Sequence, residues 1–356
     1  VQTCALPIYL FGRRAPFIGR EKKMRKLGLM AAFAAGTMIA FGGVAAAEWK
    51  PNKPIRIIVP WGAGGSTDQQ VRAIAPVLEE GLGQKVVVVN QGGGGGSIGT
   101  KSALDAKKDG YTWTAGAVKD LATYPVTGKL DTKVQDWHLY FTIANMTLVS
   151  VHPDAPYKDF GDFLKAMKSN PSSVSVATAG VPSSGHSAIE AIKTAAGGDY
   201  KLVNYDGGNP AVKATVSGET VAVPQLLSEQ IEFIRAKRLR PLAVLKGDTL
   251  NIDGYGEVPS ITKWIPDFKA GPIHFGIWAP KGIPADVVAK MDKIWAKVAV
   301  SKVLKDYAYK KGLAVTPYFG KEALDRAMPV IAATAWGYQA AGKAVVSPDT
   351  VGIPKP

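Results

Sequence analysis

The stretch KPIRIIVPWGAGGSTD, residues 53–68, decides how this chain folds. Residues 55–59 are apolar and mostly β-branched, which predicts a buried strand that Pro60 ends. The small residues that follow suit a tight turn, and polar residues 66–68 are typical of a helix start, here for a helix over residues 69–82. Strand, turn and helix together predict a helix N-terminus whose free N–H groups attract anions.

The turn between this strand and helix is a candidate site for a small anion. It lacks the lysine that a nucleoside triphosphate would need. We expect the N–H groups of Gly64 and Gly65 to point into a cleft, beside the hydroxyls of Ser66 and Thr67. Such a set of donors favours a small carboxylate.

Strand-like and helix-like segments alternate along the rest of the chain, which predicts an α/β fold with mostly parallel sheets. The predicted strands cover residues 55–59, 86–89, 112–115, 140–144, 148–151, 174–178, 202–203, 221–223, 242–245 and 273–278. The predicted helices cover residues 69–82, 97–106, 160–168, 187–196, 210–217, 226–236, 285–301, 301–311 and 321–341.

The strand–loop–helix pattern starts a second time at Val174, where a strand runs into the small-residue loop of residues 179–186. Because ligands of open α/β sheets bind beyond the carboxyl ends of the strands, two such starts predict two lobes that close on one ligand. We expect one lobe from residues 48–149 plus 250–356 and a second from residues 150–250. A return crossing as late as Gly271 is the open alternative.

Residues 24–47 have the pattern of a signal peptide. A basic start at Arg25 and Lys26 precedes an apolar run, and the segment ends in small residues. The apolar run is short for a membrane span, so we expect export to the periplasm with cleavage near Ala47. Residues 1–23 precede the natural start at Met24 and are expected to be a non-native upstream extension.

Composition excludes several classes of function. Once residues 1–47 are set aside, the formal net charge of the chain falls from +14 to +8. The remaining lysines are scattered rather than clustered with aromatic residues, so no nucleic-acid partner is expected. The sole cysteine, Cys4, lies in the leading segment, which excludes disulfides and thiolate chemistry from the exported part.

The glycine run before the second predicted helix matches two motifs. Gly94-Gly95-Gly96-Ser97-Ile98-Gly99 fits G-x-G-x-x-G, but no acidic residue ends the next predicted strand to hold a ribose. The same run contains G-x-S-x-G, the pattern of a nucleophile elbow, with His274 as the late histidine. A secreted serine hydrolase using Ser97 is therefore the alternative function, and a surface protein that scavenges anions is a third.

The remaining chemistry-bearing residues do not form a reaction centre. His138, His152, His186 and His274 show no metal-ligand spacing, and the carboxylates show no acid–base pairing. We expect no catalytic residues, no metal and no cofactor. His186, at the second helix start, is expected either to cap the helix or to donate to a bound carboxylate.

These segments resemble a known family. KPIRIIVPWGAGGSTD, LGQKVVVVNQGGGGGSIGT, DGYTW, ATAGVPSSGHSA, VNYDGGNPAVKATVSGE, RLRPLAVL, VPSITKW and GIWAPKGIPADVV occur in the order found in the periplasmic substrate-binding components of tripartite tricarboxylate transporters, the Bug family. The resemblance covers nearly all of the chain after the leader. It implies a monomeric α/β, two-lobed periplasmic binding protein of type II (Venus-flytrap), with a ligand cleft between the lobes.

The resemblance also implies the ligand-binding residues and the partner. The cleft would be lined by the first loop, the second Ser-Gly-His loop and the loop after Val203, and the partner would be an integral-membrane permease. The implied binding residues are Trp61, Gly62, Ala63, Gly64, Gly65, Ser66, Thr67, Asp68, Thr178, Ala179, Ser183, Ser184, Gly185, His186, Tyr205, Asp206, Gly207 and Gln225.

Three departures from the family pattern bear on the ligand. Trp61 stands where the family mostly has phenylalanine, Asp206 replaces the usual lysine, and Pro224-Gln225 replaces the usual Asp or Asn. The indole of Trp61 offers a surface for stacking, and an Asp206 facing the cleft would repel a second carboxylate. We therefore expect a monocarboxylate, or a dicarboxylate whose far end avoids Asp206, with aromatic acids as a subset. An Asp206 that points to solvent is the alternative.

Overall fold

The computed structural model describes residues 48–269 and 271–356. The expected signal peptide, its cleavage point at Ala47 and the expected upstream extension lie outside the described residues. Within them, two central β-sheets and a two-stranded hairpin are present. No described helix is long and apolar enough to cross a bilayer.

The first sheet has six strands in the order β13-β4-β12-β3-β1-β2. β1 pairs in parallel with β2 and β3, whereas β12 runs antiparallel to both β3 and β4. The strands are β1 (Ile55–Val59), β2 (Val86–Asn90), β3 (Thr112–Ala117), β4 (Trp137–Asn145), β12 (Ile273–Pro280) and β13 (Ala314–Val315).

The second sheet has five strands in the order β7-β6-β8-β5-β9. They are β5 (Thr147–Val151), β6 (Ser175–Thr178), β7 (Lys201–Asn204), β8 (Ala222–Leu226) and β9 (Arg240–Val244). β5 lies antiparallel to both neighbours. The sheets are thus mixed rather than mostly parallel, because β5 and β12 each enter from the other sheet and need no crossover helix to reverse direction.

The chain crosses between the sheets at two places. Met146 alone separates β4 from β5. The return is later than the expected boundary near residue 250: the hairpin of β10 (Leu250–Ile252) and β11 (Gly256–Val258) comes first, and Ile261 and Ile265 then enter the core of the second sheet. Residues 250–268 stay there because their apolar side chains are buried against that sheet.

Ten helices cover the two sheets in the described part of the chain. α1 and α5 begin three residues before the expected starts, so their polar first residues lie inside the first turn. The helices are α1 (Ser66–Leu82), α2 (Ser97–Leu104), α3 (Asp120–Val126), α4 (Phe160–Ser169), α5 (Ser184–Ala196), α6 (Gly208–Val216), α7 (Leu227–Arg235), α8 (Ala285–Val300), α9 (Lys302–Lys311) and α10 (Gly320–Ala340).

Candidate functional site

The N-terminus of α1 carries its own carboxylate partner. Gly65 is the N-cap and gives no side-chain cap. The Ser66 N–H donates to Oε1 of Glu229, at 2.8 Å, and Glu229 belongs to α7 on the second sheet. Ser66 and Thr67 are buried beside it. The first N–H of this helix is therefore occupied rather than free.

The expected free N–H groups of the glycine turn are also used within the turn. Gly64 N–H donates to Oδ2 of Asp68 at 2.9 Å, and Gly65 N–H donates to the Gly62 carbonyl at 3.4 Å. Oδ1 of Asp68 accepts from Arg72 and Asn90 at 2.9 and 3.0 Å. These bonds outweigh the burial of Asp68 and lower its pKa. Asp68 therefore holds the turn in shape instead of facing a ligand.

The N-terminus of α5 is capped by the side chain of Ser183 and not by His186. Ser183 Oγ accepts from the His186 N–H at 3.2 Å. Nδ1 of His186 lies 3.3 Å from the hydroxyl of Tyr338 on α10, across from the second sheet. Burial lowers the pKa of His186 to about 4, so its ring is neutral at pH 7. His186 is thus packed between α5 and α10 and bridges them. It does not line the inner cavity, which lies between the N-termini of α1 and α5.

An inner cavity of about 30 Å³ lies between the N-termini of α1 and α5. Eight of the expected binding residues line it: Trp61, Gly65, Ser66, Thr67, Ala179, Ser183, Ser184 and Gln225. Sequence reasoning missed six others: Ala117, Asp120, Gly208, Leu226, Glu229 and Phe275. Hydroxyls, an indole and two acids thus meet in one space.

A larger outer cavity of about 510 Å³ lies on the other side of Trp61. Four further residues expected to bind ligand line it, namely Gly62, Tyr205, Asp206 and Gly207, and Trp61 and Ala179 are shared with the inner cavity. The glycine run of residues 92–96 forms its opposite wall. Asp206 is exposed and lines the outer cavity but not the inner one.

Six expected binding residues line neither cavity. Ala63 is exposed, whereas Gly64, Asp68 and His186 are engaged as described above. Thr178 Oγ1 bonds Oδ1 of Asn204 at 2.9 Å, which holds two strands of the second sheet together. Gly185 lies against Gln225, because a Cβ there would come within 2.2 Å of Gln225 Oε1.

The two halves of the molecule touch across the cavities. A Cβ on Gly62 would meet the Asp206 carbonyl oxygen at 2.4 Å, and one on Gly95 would meet the Val181 carbonyl at 2.6 Å. Both contacts join a loop of the first sheet to a loop of the second. This structure is therefore a form in which the halves have closed on each other.

A buried polar cluster connects the halves beside the first crossing. Nδ2 of Asn145, the last residue of β4, donates to the hydroxyls of Ser66 at 2.7 Å and Ser228 at 2.9 Å. The Ser228 hydroxyl in turn lies 2.9 Å from that of Ser66. Because Asn145 is fully buried, the loss of these bonds would leave polar atoms without partners.

Two carboxylates line the inner cavity and differ in their surroundings. Asp120 pairs with Lys119 at 3.2 Å, and both are buried. Glu229 has no ion-pair partner among the described residues, and burial raises its pKa to about 7 although the Ser66 and Leu226 N–H groups oppose the shift. In sequence, Glu229 sits in an ordinary amphipathic helix and gives no signal of this role.

The Ser97 alternative finds no support in the geometry. Ser97 Oγ bonds the Gly94 carbonyl at 3.0 Å at the start of α2. His274 stacks on Phe141 and lies 3.2 Å from Thr316 Oγ1. No hydrogen bond in the described part of the chain joins Ser97 to a histidine or an acid, and no group of three potential metal ligands occurs there.

Two α/β halves that close around a polar cavity define a two-lobed solute-binding protein. Comparison with known proteins agrees. Residues 70–321 match the family described as the tripartite tricarboxylate transporter family receptor. The chain is 33% identical over 270 residues to a UPF0065 protein from the tcbD-tcbE intergenic region of Pseudomonas sp. strain P51, covering 73% of this chain and 79% of that protein.

Further relatives give the same result. BugT of Bordetella pertussis is 31% identical over 269 residues, which is 72% of this chain and 81% of BugT. A solved periplasmic transporter superposes with a TM-score of 0.73 at 30% identity, over 80% of this chain and 96% of that one. The periplasmic binding protein BugD has the same fold, with a TM-score of 0.76 at 22% identity over 83% and 99% of the chains.

This chain belongs to the tripartite tricarboxylate transporter receptor family. The comparisons confirm the resemblance and the two-lobed fold expected from the sequence.

Proposed function

We propose that this protein captures a small organic carboxylate in the inner cavity and delivers it to a membrane permease of the tripartite tricarboxylate type. The observation that carries the proposal is the convergence of Thr67 from α1 with Ser183 and Ser184 from α5 on one enclosed space. Hydroxyls and a helix N-terminus provide donors that stabilise a negative oxygen.

The ligands of proteins with the same fold agree with this chemistry. A Rhodopseudomonas palustris protein solved with adipate has a TM-score of 0.74, and MatC from the same organism, solved with malate, has a TM-score of 0.75. Both are carboxylates, and in this form of the protein the inner cavity is small, at about 30 Å³, because the halves have closed on it. Ligand entry therefore requires the halves to open.

The lobes in this proposal follow the sheets. The first comprises residues 48–145 and 271–356, and the second residues 147–268, with Met146 and the segment after Phe268 as the two crossings. The protein acts as a monomeric receptor without catalytic activity, in the periplasm, after removal of a signal peptide that ends near Ala47. Its family supports the receptor role and its location.

Calorimetry and native mass spectrometry test the proposal directly. The protein, purified from a periplasmic extract without refolding, should retain or bind a carboxylate at one site per chain. Ser184→Ala should weaken that binding about five- to tenfold, because one neutral hydrogen bond contributes about 1 kcal/mol. Ser169→Ala is the matched control, since Ser169 is exposed at the end of α4 and lines neither cavity.

Binding that is equally strong in wild type and Ser184→Ala would contradict the assignment of the inner cavity. The absence of any bound carboxylate, in extract and in titrations with mono-, di- and tricarboxylates, would contradict the function itself.

A further inference from the structure

Glu229 is an acid of unusual placement. It lies in the first turn of α7, is 8% exposed and lines the inner cavity. Its carboxylate is seated against Gly208, where an added Cβ would come within 2.2 Å of Oε2. A carboxylate so closely enclosed cannot turn to solvent while the two halves stay closed.

The partners of Glu229 are backbone and side-chain N–H donors rather than cations. Ser66 N–H donates to Oε1 at 2.8 Å, and Gln225 Nε2 donates to Oε2 at 3.3 Å. Of the residues that the structure describes, no lysine, arginine or histidine forms an ion pair with it, and the buried Lys119 on the first half pairs with Asp120. The inner cavity therefore holds a buried acid that lacks a positive partner.

Gln225 adds a second acceptor at the same place. Because its Nε2 points to Glu229, its amide is oriented, and Oε1 is left buried without a hydrogen-bond partner among the described residues. Gln225 is 2% exposed and lines the inner cavity. Buried acceptors normally accept a hydrogen bond, so a ligand group that donates one would satisfy Gln225 Oε1.

We propose that Glu229, with Gln225, is a specificity-determining residue that selects organic acids carrying a hydrogen-bond donor, an ammonium or hydroxyl group, beside the carboxylate. The inference rests on the proposed function and deepens it. The donors of Thr67, Ser183 and Ser184 take the ligand carboxylate, and the acceptors of Glu229 and Gln225 take the donor group.

The same wall rejects an acid that presents a second carboxylate to it. Two ionised carboxylates in a desolvated cavity repel each other, and one must take up a proton before both can stay. The indole of Trp61 on the cavity wall further favours an ammonium group over a hydroxyl. The selective acid expected from the sequence at Asp206 is thus found at Glu229.

Matched acids test the proposal by calorimetry at pH 8. The sets are succinate, malate and aspartate; glutarate, 2-hydroxyglutarate and glutamate; and adipate with 2-aminoadipate, which within a set differ only at C2. In wild type we expect the substituted acids of at least one set to bind tenfold or more tighter than the unsubstituted acid. Glu229→Gln should reduce that ratio at least fivefold, whereas the exposed control Glu257→Gln should keep it.

A preference for either substituted acid supports the proposal, and the order of the two tells whether charge or hydrogen bonding dominates. Equal or tighter binding of the unsubstituted acids by wild type overturns it, and this test needs no variant to fold. So does an unchanged ratio in a folded Glu229→Gln protein. If no acid of any set binds, the proposal fails, and the carboxylate function fails with it only when the extract and the mono- and tricarboxylates also show no binding, which separates the two failures.

Discussion

At the scale of single residues, a buried charge at the cavity is costly to folding unless a ligand compensates it. Glu229 is the clearest case, because burial raises its pKa to about 7 from an ordinary value of 4.5. Between those values the folded protein holds a proton that the unfolded chain releases. The contribution of this group to stability is therefore full below about pH 4.5 and is lost as the pH rises through 7.

Glu229→Gln should remove this loss. We expect the difference in unfolding free energy between the variant and wild type to move in favour of the variant by about 3 kcal/mol between pH 4.5 and pH 8. Urea unfolding of both proteins across that range measures the difference, with Glu257→Gln as the exposed control. Parallel pH profiles for wild type and Glu229→Gln would show that the pKa of Glu229 is the same in the folded and the unfolded protein.

Asp68 illustrates the opposite sign. Although its burial opposes ionisation, bonds from Arg72, Gly64 and Asn90 lower its pKa. Its contribution to stability is therefore present above the ordinary value of 3.8 and is lost as the pH falls through the lowered one. Asp68→Asn should cost about 1–3 kcal/mol at pH 7, because it weakens a charged acceptor of three bonds. Chemical unfolding measures this cost, and a loss that persists unchanged at pH 2 would contradict the account.

At the scale of elements, the pattern of the sequence predicts most of the fold. The alternation of apolar residues placed β1, β5 and α8 within two residues of their observed bounds. The alternation did not predict α3. Lys119 and Asp120 form a buried ion pair at the start of this helix, whereas two adjacent charged residues in a sequence indicate an exposed segment. Periodicity reports which side of an element is apolar, and it carries no information about which polar groups meet across a cleft.

The candidate site could be predicted only in part for the same reason. Thr67 and Ser183, which line the inner cavity, were expected because loops before helices are recognisable by their small and polar residues, and Trp61 was expected from the family resemblance. Glu229 and Phe275 were missed because their roles arise from contacts between α7, β12 and α1 that are far apart in the chain. The Gly64 N–H donates to the Asp68 side chain, which the family resemblance assigned to the ligand, and the Gly65 N–H donates to the Gly62 carbonyl.

The loop before α1 also limits how the halves approach. A Cβ on Gly62 would lie 2.4 Å from the Asp206 carbonyl, which is backbone and cannot turn aside. Gly62→Ala should therefore prevent the two halves from closing fully. We expect it to weaken ligand binding at least tenfold and to leave the fold unchanged. Gly247→Ala is the matched control, because nothing lies within 4 Å of a Cβ there. Calorimetry and thermal unfolding of both variants make the comparison; equal affinity for the two would contradict the close approach.

At the scale of the whole molecule, polar contacts between α10 and α5 hold the closed form together beside the contacts at the inner cavity. The hydroxyl of Tyr338, near the end of α10, lies 3.3 Å from His186 Nδ1 and 2.9 Å from Ser187 Oγ on α5. Lys343 and Glu190 approach to 3.6 Å nearby. α10 packs on the first sheet and α5 on the second, so these contacts exist only while the halves are together.

Removing the Tyr338 hydroxyl should therefore favour the open form. In Tyr338→Phe, two hydrogen bonds of about 1 kcal/mol each are lost from the closed form, whereas the open form loses only contacts with water. Because the ligand binds by closing the halves, the lost stability of the closed form reduces its binding free energy. We therefore expect its affinity to fall five- to thirtyfold, mainly through faster dissociation. Tyr309→Phe is the control, since Tyr309 is 78% exposed on α9. Stopped-flow tryptophan fluorescence measures the dissociation rate, and small-angle scattering of the ligand-free proteins measures their opening. A Tyr338→Phe protein with the wild-type rate and radius of gyration would show that closure depends on the loop contacts at Gly62 and Gly95 and not on this pair of helices.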